Sequence, residues 1–106
     1  MVLVMAVILG ISLYPATGSE LNQGKTLYTN KCQMCHGADG KGNGPAAAAF
    51  NPKPEDFTKP QFWGKKNVDH LIGETVKTGH GKMPAFDLSS NQINSIIDYM
   101  SHTFKP

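Results

Sequence analysis

Cys32-Gln33-Met34-Cys35-His36 is the stretch of this chain whose residue types and spacing point to chemistry without help from the rest. Two thiols three positions apart on one helical turn can each add across a vinyl group of the same porphyrin. The histidine that follows at once is placed to ligate the iron at the ring's centre. C-x-x-C-H therefore reads as the attachment site for one covalent haem c. Cys32 and Cys35 would carry the thioether bonds, and His36 would be the first axial ligand of the iron.

Other uses of the pentapeptide fit less well. The chain has two cysteines, so no other pairing competes for them. A disulfide between Cys32 and Cys35 would close a loop too short to constrain much of the unfolded chain. A thioredoxin-type motif wants a neighbouring βαβ pattern, which is not visible. A structural zinc site needs four ligands, whereas His70, His80 and His102 stand singly and without a second ligand pair.

On the iron's other side, Gly79-His80-Gly81-Lys82-Met83-Pro84 supplies two candidates, Met83 and His80. Pro84 disfavours the helical conformation for Met83 and holds it extended. A thioether is a soft donor suited to both oxidation states of iron. Met83 lies on a glycine-rich loop rather than on a helical apolar face, which separates it from the gap-filling use of methionine. Met83 is the expected second axial ligand, and His80 is its rival. Met34 sits inside the attachment motif, and Met100 belongs to a helical stripe.

The elements that must position these residues are helical. Asn22 to Lys31 reads as a short helix, with Gly24, Leu27, Tyr28 and Lys31 at i, i+3, i+4 and i+7. From Gly37 to Pro60 the composition turns to Gly, Pro, Ala and Asn, which is loop chemistry. One helical turn is expected at Ala46–Ala49 after Pro45. So long a loop suits a compact domain only if it wraps a cofactor. Asn67 is expected to cap a segment from Val68 to Lys77, with Leu71, Ile72 and Val76 on its apolar side and Gly79 as its stop. Ser89 and Gln92 form a capping box. Ile93, Ile96, Ile97, Met100 and Phe104 follow at i, i+3, i+4, i+7 and i+11, an amphipathic helix. No period-2 strand and no internal repeat is visible. The fold class is all-α, with three to four short helices.

Met1 to Leu13 is apolar or small apart from Ser12, too short for a membrane span of about 20 residues. With Ala16-Thr17-Gly18 it matches a secretory signal, so residues 1–18 are expected to be a signal peptide, cleaved or retained as an anchor. Its charged n-region is missing, so either the n-region is atypical or the start codon lies further upstream. Residues 19–106 then form a monohaem domain of about 88 residues, small enough that a buried haem would complete its core. Ten lysines against eight acids give a formal charge of +2, which two haem propionates would bring near zero. Nucleic acid is not expected as a partner, since it demands a strongly basic face.

Gly24 and Tyr28, Cys32-x-x-Cys35-His36-Gly37, Gly44-Pro45, Met83-Pro84, and Ile96 with Tyr99 together resemble the class I c-type cytochromes, the small bacterial periplasmic monohaem kind. The resemblance covers essentially all of residues 19–106. It implies that the first and last helices cross at a glycine and aromatic contact. It also implies that a proline carbonyl accepts the proximal histidine's Nδ1–H; Pro45 is the candidate, with Pro52 and Pro54 as alternatives. Trp63 is similar to the tryptophan that meets a haem propionate in relatives, or else is a core aromatic.

What the resemblance implies is one-electron transfer in the periplasm by a monomer, with redox proteins as donors and acceptors and Lys82 placed to steer them. Asp39, Glu55 and Asp56 read as isolated loop charges, so no catalytic cluster and no enzyme activity is expected. A haem c subunit of an oxidoreductase complex and a peroxidase-like or gas-sensing protein remain as alternatives. The last requires an open iron site.

Overall fold

The computed structural model describes residues 17–106, and the signal segment expected at the N-terminus lies, through residue 16, outside them. Five helices follow in order: α1 (Gly18–Lys31), α2 (Gln33–His36), α3 (Pro60–Trp63), α4 (Val68–Thr78) and α5 (Ser90–Phe104), with a 3-10 turn at Ala47–Ala49 between α2 and α3. Among the described residues there is no strand, and the chain is all-α.

Helix α1 begins four residues earlier than its apolar spacing predicts. Thr17 accepts a hydrogen bond from the Glu20 N–H at 3.3 Å, and the Glu20 carboxylate accepts from the Thr17 N–H at 3.1 Å. That reciprocal cap extends the helix by a polar turn which periodicity cannot detect. The predicted box on α5 is present: Gln92 N–H donates to Ser89 Oγ, and Ser89 N–H to Gln92 Oε1. Asn67 does not cap α4. It adopts a left-handed conformation (φ 54°) with no side-chain cap bond, so the helix starts on backbone geometry alone. The one-turn α3 was not expected; Pro60, free of the N–H a first turn cannot use, opens it.

Helices α1 and α5 cross at Gly24. A methyl group built there would overlap the Ser95 carbonyl and stand 2.8 Å from Tyr99 Cβ. Only a residue without a side chain permits that approach. Tyr28, one turn on, fills the crossing with its ring 5.5 Å from Tyr99 and 5.3 Å from Phe104. The whole predicted stripe of α5 is buried, each side chain contributing about 1.5–3 kcal/mol of hydrophobic stabilisation. On α4, Ile72 and Val76 face the core one turn apart, whereas Leu71 is 46% exposed and leaves the apolar side assigned to it. Cys32 and Met83 both pack against this same core.

Candidate haem site

The attachment motif is held from three directions. From α1, the buried Tyr28 hydroxyl donates to the Gly37 carbonyl at 2.7 Å, pinning the residue after His36. From the following loop, the N–H groups of Ala46, Gly44 and Gly42 donate to the carbonyls of Met34, Cys35 and His36 at 2.9–3.0 Å. The loop thus runs back along α2 and closes each carbonyl that the helix end leaves open. Gly44 is required by the closeness of this return, since a Cβ there would run into the Met34 and Gln33 carbonyls.

Cys32 and Cys35 are both free thiols and half-buried. Burial pushes the Cys32 thiol up to about 11; neighbouring Lys31 opposes the shift and Cys35 adds to it. It is not the low-pKa thiol of a redox motif. His36 is held below the usual imidazole range by burial, which favours the neutral, ligating form. Its ring stacks on Phe57, centroids 4.8 Å apart with 23° between planes. Its enclosed Nδ1 meets no hydrogen-bond partner. Pro45, proposed as the acceptor by resemblance, does not fill that role, and neither do Pro52 and Pro54. Pro45 is exposed on the returning loop.

His80 and Met83 face each other across a tight turn. His80 N–H donates to the Met83 carbonyl at 3.0 Å, and Met83 N–H to the His80 carbonyl at 2.9 Å. Gly79 (φ 76°) and Gly81 (φ 55°) take up the left-handed backbone that the turn demands. Met83 is half-buried against the core, while His80 is exposed. Lys82, at the tip, is exposed with its ammonium 3.3 Å from the Ala49 carbonyl, bridging this turn to the loop after the attachment motif.

Trp63 differs from its expected propionate role. Its indole N–H donates to the Phe57 carbonyl at 2.7 Å and is buried with it. Phe57 is the site residue that sequence reasoning missed. The available signal was Asp56-Phe57-Thr58, where Asp56 Oδ1 accepts from the Thr58 N–H and hydroxyl at 2.8 and 2.6 Å. An aspartate turn of that kind fixes a lone aromatic in an otherwise polar loop. Asp39 and Glu55 are occupied locally, by Lys41 N–H and Asn43, and by Lys65 at 3.0 Å.

Two free thiols, a neutral imidazole and a core-facing thioether are a donor set that fits covalent haem. Two open grooves, of about 410 and 490 Å³, lie along α4 and α5 and include none of these four residues.

An all-α domain built around a C-x-x-C-H turn defines a covalent-haem protein. The sequence model of cytochrome c matches residues 21–104, and the chain belongs to that family. Its cofactor is accordingly covalently bound haem c with iron. The chain is also similar to the "Cbb3-type cytochrome c oxidase subunit FixP" of Rhizobium meliloti (strain 1021), 32% identical over 82 residues. The alignment covers 76% of this chain and 26% of that protein, so the chain spans about a quarter of the relative's length.

Proposed function

We propose that this haem c electron carrier works in the periplasm as a His/Met-ligated monohaem protein, with residues 19–106 as the working domain and residues 1–18 as its export segment. Cys32 and Cys35 tether the porphyrin, and His36 and Met83 ligate the iron. The observation that carries the reading is the opposite burial of His80 and Met83 across one turn. The thioether is turned to the core and the rival imidazole to solvent.

Bound haem c supplies a one-electron redox centre that takes an electron in the ferric state and releases it from the ferrous state. The protein's share is to keep the surroundings unchanged between the two. The α2 carbonyls are locked by the returning loop, and Tyr28 fixes Gly37. Burial favours the neutral form of His36, and the Met83 thioether carries no charge. A donor protein gives one electron and an acceptor protein takes it, with no bond made or broken.

A second reading, a haem c subunit of a periplasmic oxidoreductase complex, is favoured by the name of the oxidase subunit to which the chain is similar. Among the described residues no helix is long and apolar enough to cross a membrane. Export is tested by sequencing the N-terminus of periplasmic protein, which should begin near Ser19. Whole protein recovered in washed membranes with residues 1–18 attached would contradict it. Cleavage after Gly18 also removes the Thr17 cap, so the first turn of α1 should fray in mature protein. Carrier and complex subunit separate on purification from the native cell. A free carrier elutes as a monomer, and a subunit elutes with oxidase activity.

Carrier and haem enzyme separate on carbon monoxide. With both axial positions filled, reduced protein should bind it poorly at neutral pH and show negligible peroxidase turnover. Rapid binding would move the function to a sensor or peroxidase.

A further inference from the structure

The turn that carries Met83 is held firmly on one flank. Gly79 N–H donates to the Thr75 carbonyl at 2.9 Å and Phe86 N–H to the Val76 carbonyl at 2.8 Å, so both ends of the turn hang from α4. Within the turn, His80 and Met83 exchange their backbone hydrogen bonds with each other. The tip stands free. A Cβ built on Gly81 would meet nothing within 4 Å, and His80, Gly81 and Lys82 are all exposed. A segment with so few buried contacts opens at low free energy unless something else ties it down.

The other flank is closed by one side chain. The Lys82 ammonium donates to the Ala49 carbonyl at 3.3 Å, across 33 positions of the chain. Ala49 is itself tied back: its N–H donates to the Ala46 carbonyl at 3.1 Å, and the Ala46 N–H donates to the Met34 carbonyl at 2.9 Å. Three hydrogen bonds in series therefore run from Met34, between Cys32 and Cys35, to the residue before Met83. They join the segment that carries His36 to the turn that carries Met83. Among the described residues the one lysine–carboxylate pair is Lys65 with Glu55, so Lys82 meets a backbone carbonyl where a surface lysine would otherwise meet an acid.

We infer that Lys82 is a latch for the second axial ligand: its ammonium, fastened to the Ala49 carbonyl, holds the Met83 turn against the attachment loop and keeps the thioether on the iron. Lys82 is a positioning residue that acts through Met83. The inference rests on the reading of Met83 as an axial ligand. It goes beyond that reading in saying what keeps a glycine-flanked turn shut. It also changes the part expected of Lys82, whose ammonium is engaged at short range by the chain's own backbone.

The test is an imidazole titration of ferric holoprotein, followed as loss of the sulfur–iron band. Added imidazole reaches the iron only after Met83 has left, so its apparent affinity scales with the fraction of molecules whose turn is open. Lys82→Met keeps the aliphatic stem and removes the donor. It should raise that affinity about two- to tenfold, the worth of one hydrogen bond. Lys82→Arg keeps a long cationic donor and should bind imidazole as wild type does. Lys53→Met removes one positive charge from the exposed stretch after Ala49, leaves the latch in place, and should also match wild type.

An imidazole affinity for Lys82→Met equal to that of wild type would overturn the inference. So would an equal rise in Lys53→Met, since charge and not the bond would then be at work. Lys82→Arg as open as Lys82→Met would overturn it too. Met83→Ala separates the two layers. If the sulfur–iron band survives in that variant, the ligand reading falls and the latch with it. If Met83→Ala abolishes the band while Lys82→Met leaves imidazole binding unchanged, only the latch falls.

Discussion

The phenol of Tyr28 and the carbonyl of Gly37 meet at 2.7 Å inside the core, so the helix crossing and the haem-attachment turn are one structural unit. Burial raises the phenol's pKa far beyond its ordinary value, and neighbouring Cys32 adds to the shift, so the donor proton stays in place across the neutral range. Tyr28→Phe keeps the ring in its aromatic cluster and leaves the Gly37 carbonyl with the Gly40 N–H, at 3.2 Å, as its remaining donor. The expected cost is about 0.5–1.5 kcal/mol, the net worth of one hydrogen bond, read by chemical denaturation of holoprotein. A loss within experimental error would mean that another donor takes over.

Gly24→Ala tests the crossing from the other side. The added methyl meets the Ser95 backbone carbonyl, which cannot swing away as a side chain would. The helices must separate, and the expected destabilisation is about 3 kcal/mol, the upper end of overpacking costs. Gly73→Ala on α4 is the control, since its Cβ would meet Ile93 Cγ2 at an ordinary 3.7 Å. It should be tolerated or slightly stabilising through its better helix propensity.

The ligand turn makes a pair of opposed predictions. Met83→Ala should abolish the weak long-wavelength sulfur–iron band of ferric protein, lower the potential, and admit external ligands, since a soft neutral donor is lost. His80→Ala should leave the band untouched, because His80 is exposed and contributes only its backbone to the turn. The reverse pattern would make His80 the ligand.

Asp98 on α5 predicts a pH dependence. Partial burial raises its carboxyl pKa, and the charges of Glu20 and Asp69 push the same way. The folded state therefore holds this proton more tightly than the unfolded chain does. Its contribution to stability is complete below the ordinary aspartate pKa and is lost as pH rises through the raised value. Asp98→Asn should accordingly be slightly stabilising at neutral pH and should flatten the decline of thermal stability across that window. Melting curves of both proteins at matched pH values check it.

How much of this was legible in the sequence follows the range of the interactions involved. The C-x-x-C-H turn, the Ser89–Gln92 box and the stripe from Ile93 to Phe104 are set by neighbours within a few turns. They stand in the chain as written. Gly24, Tyr28 and Tyr99 were legible through resemblance, and their contact is present. The polar first turn of α1 escaped because apolar spacing begins only at Gly24. What no local pattern carried was the partner of each buried polar group. The Trp63 indole turns to the Phe57 carbonyl, and the His36 ring turns to a phenylalanine instead of a proline carbonyl. Those choices depend on how the loop from Gly37 to Pro60 folds against α3 and α5, a tertiary result.

The central claim is that this cytochrome c carries one electron on a haem ligated by His36 and Met83, and a spectroelectrochemical titration of the holoprotein tests it most directly. The account predicts a reversible one-electron Nernst curve, with the sulfur–iron band present in the ferric form and lost in step with reduction. A ferric spectrum without that band at neutral pH, or a reduced form that takes up carbon monoxide at once, would contradict it.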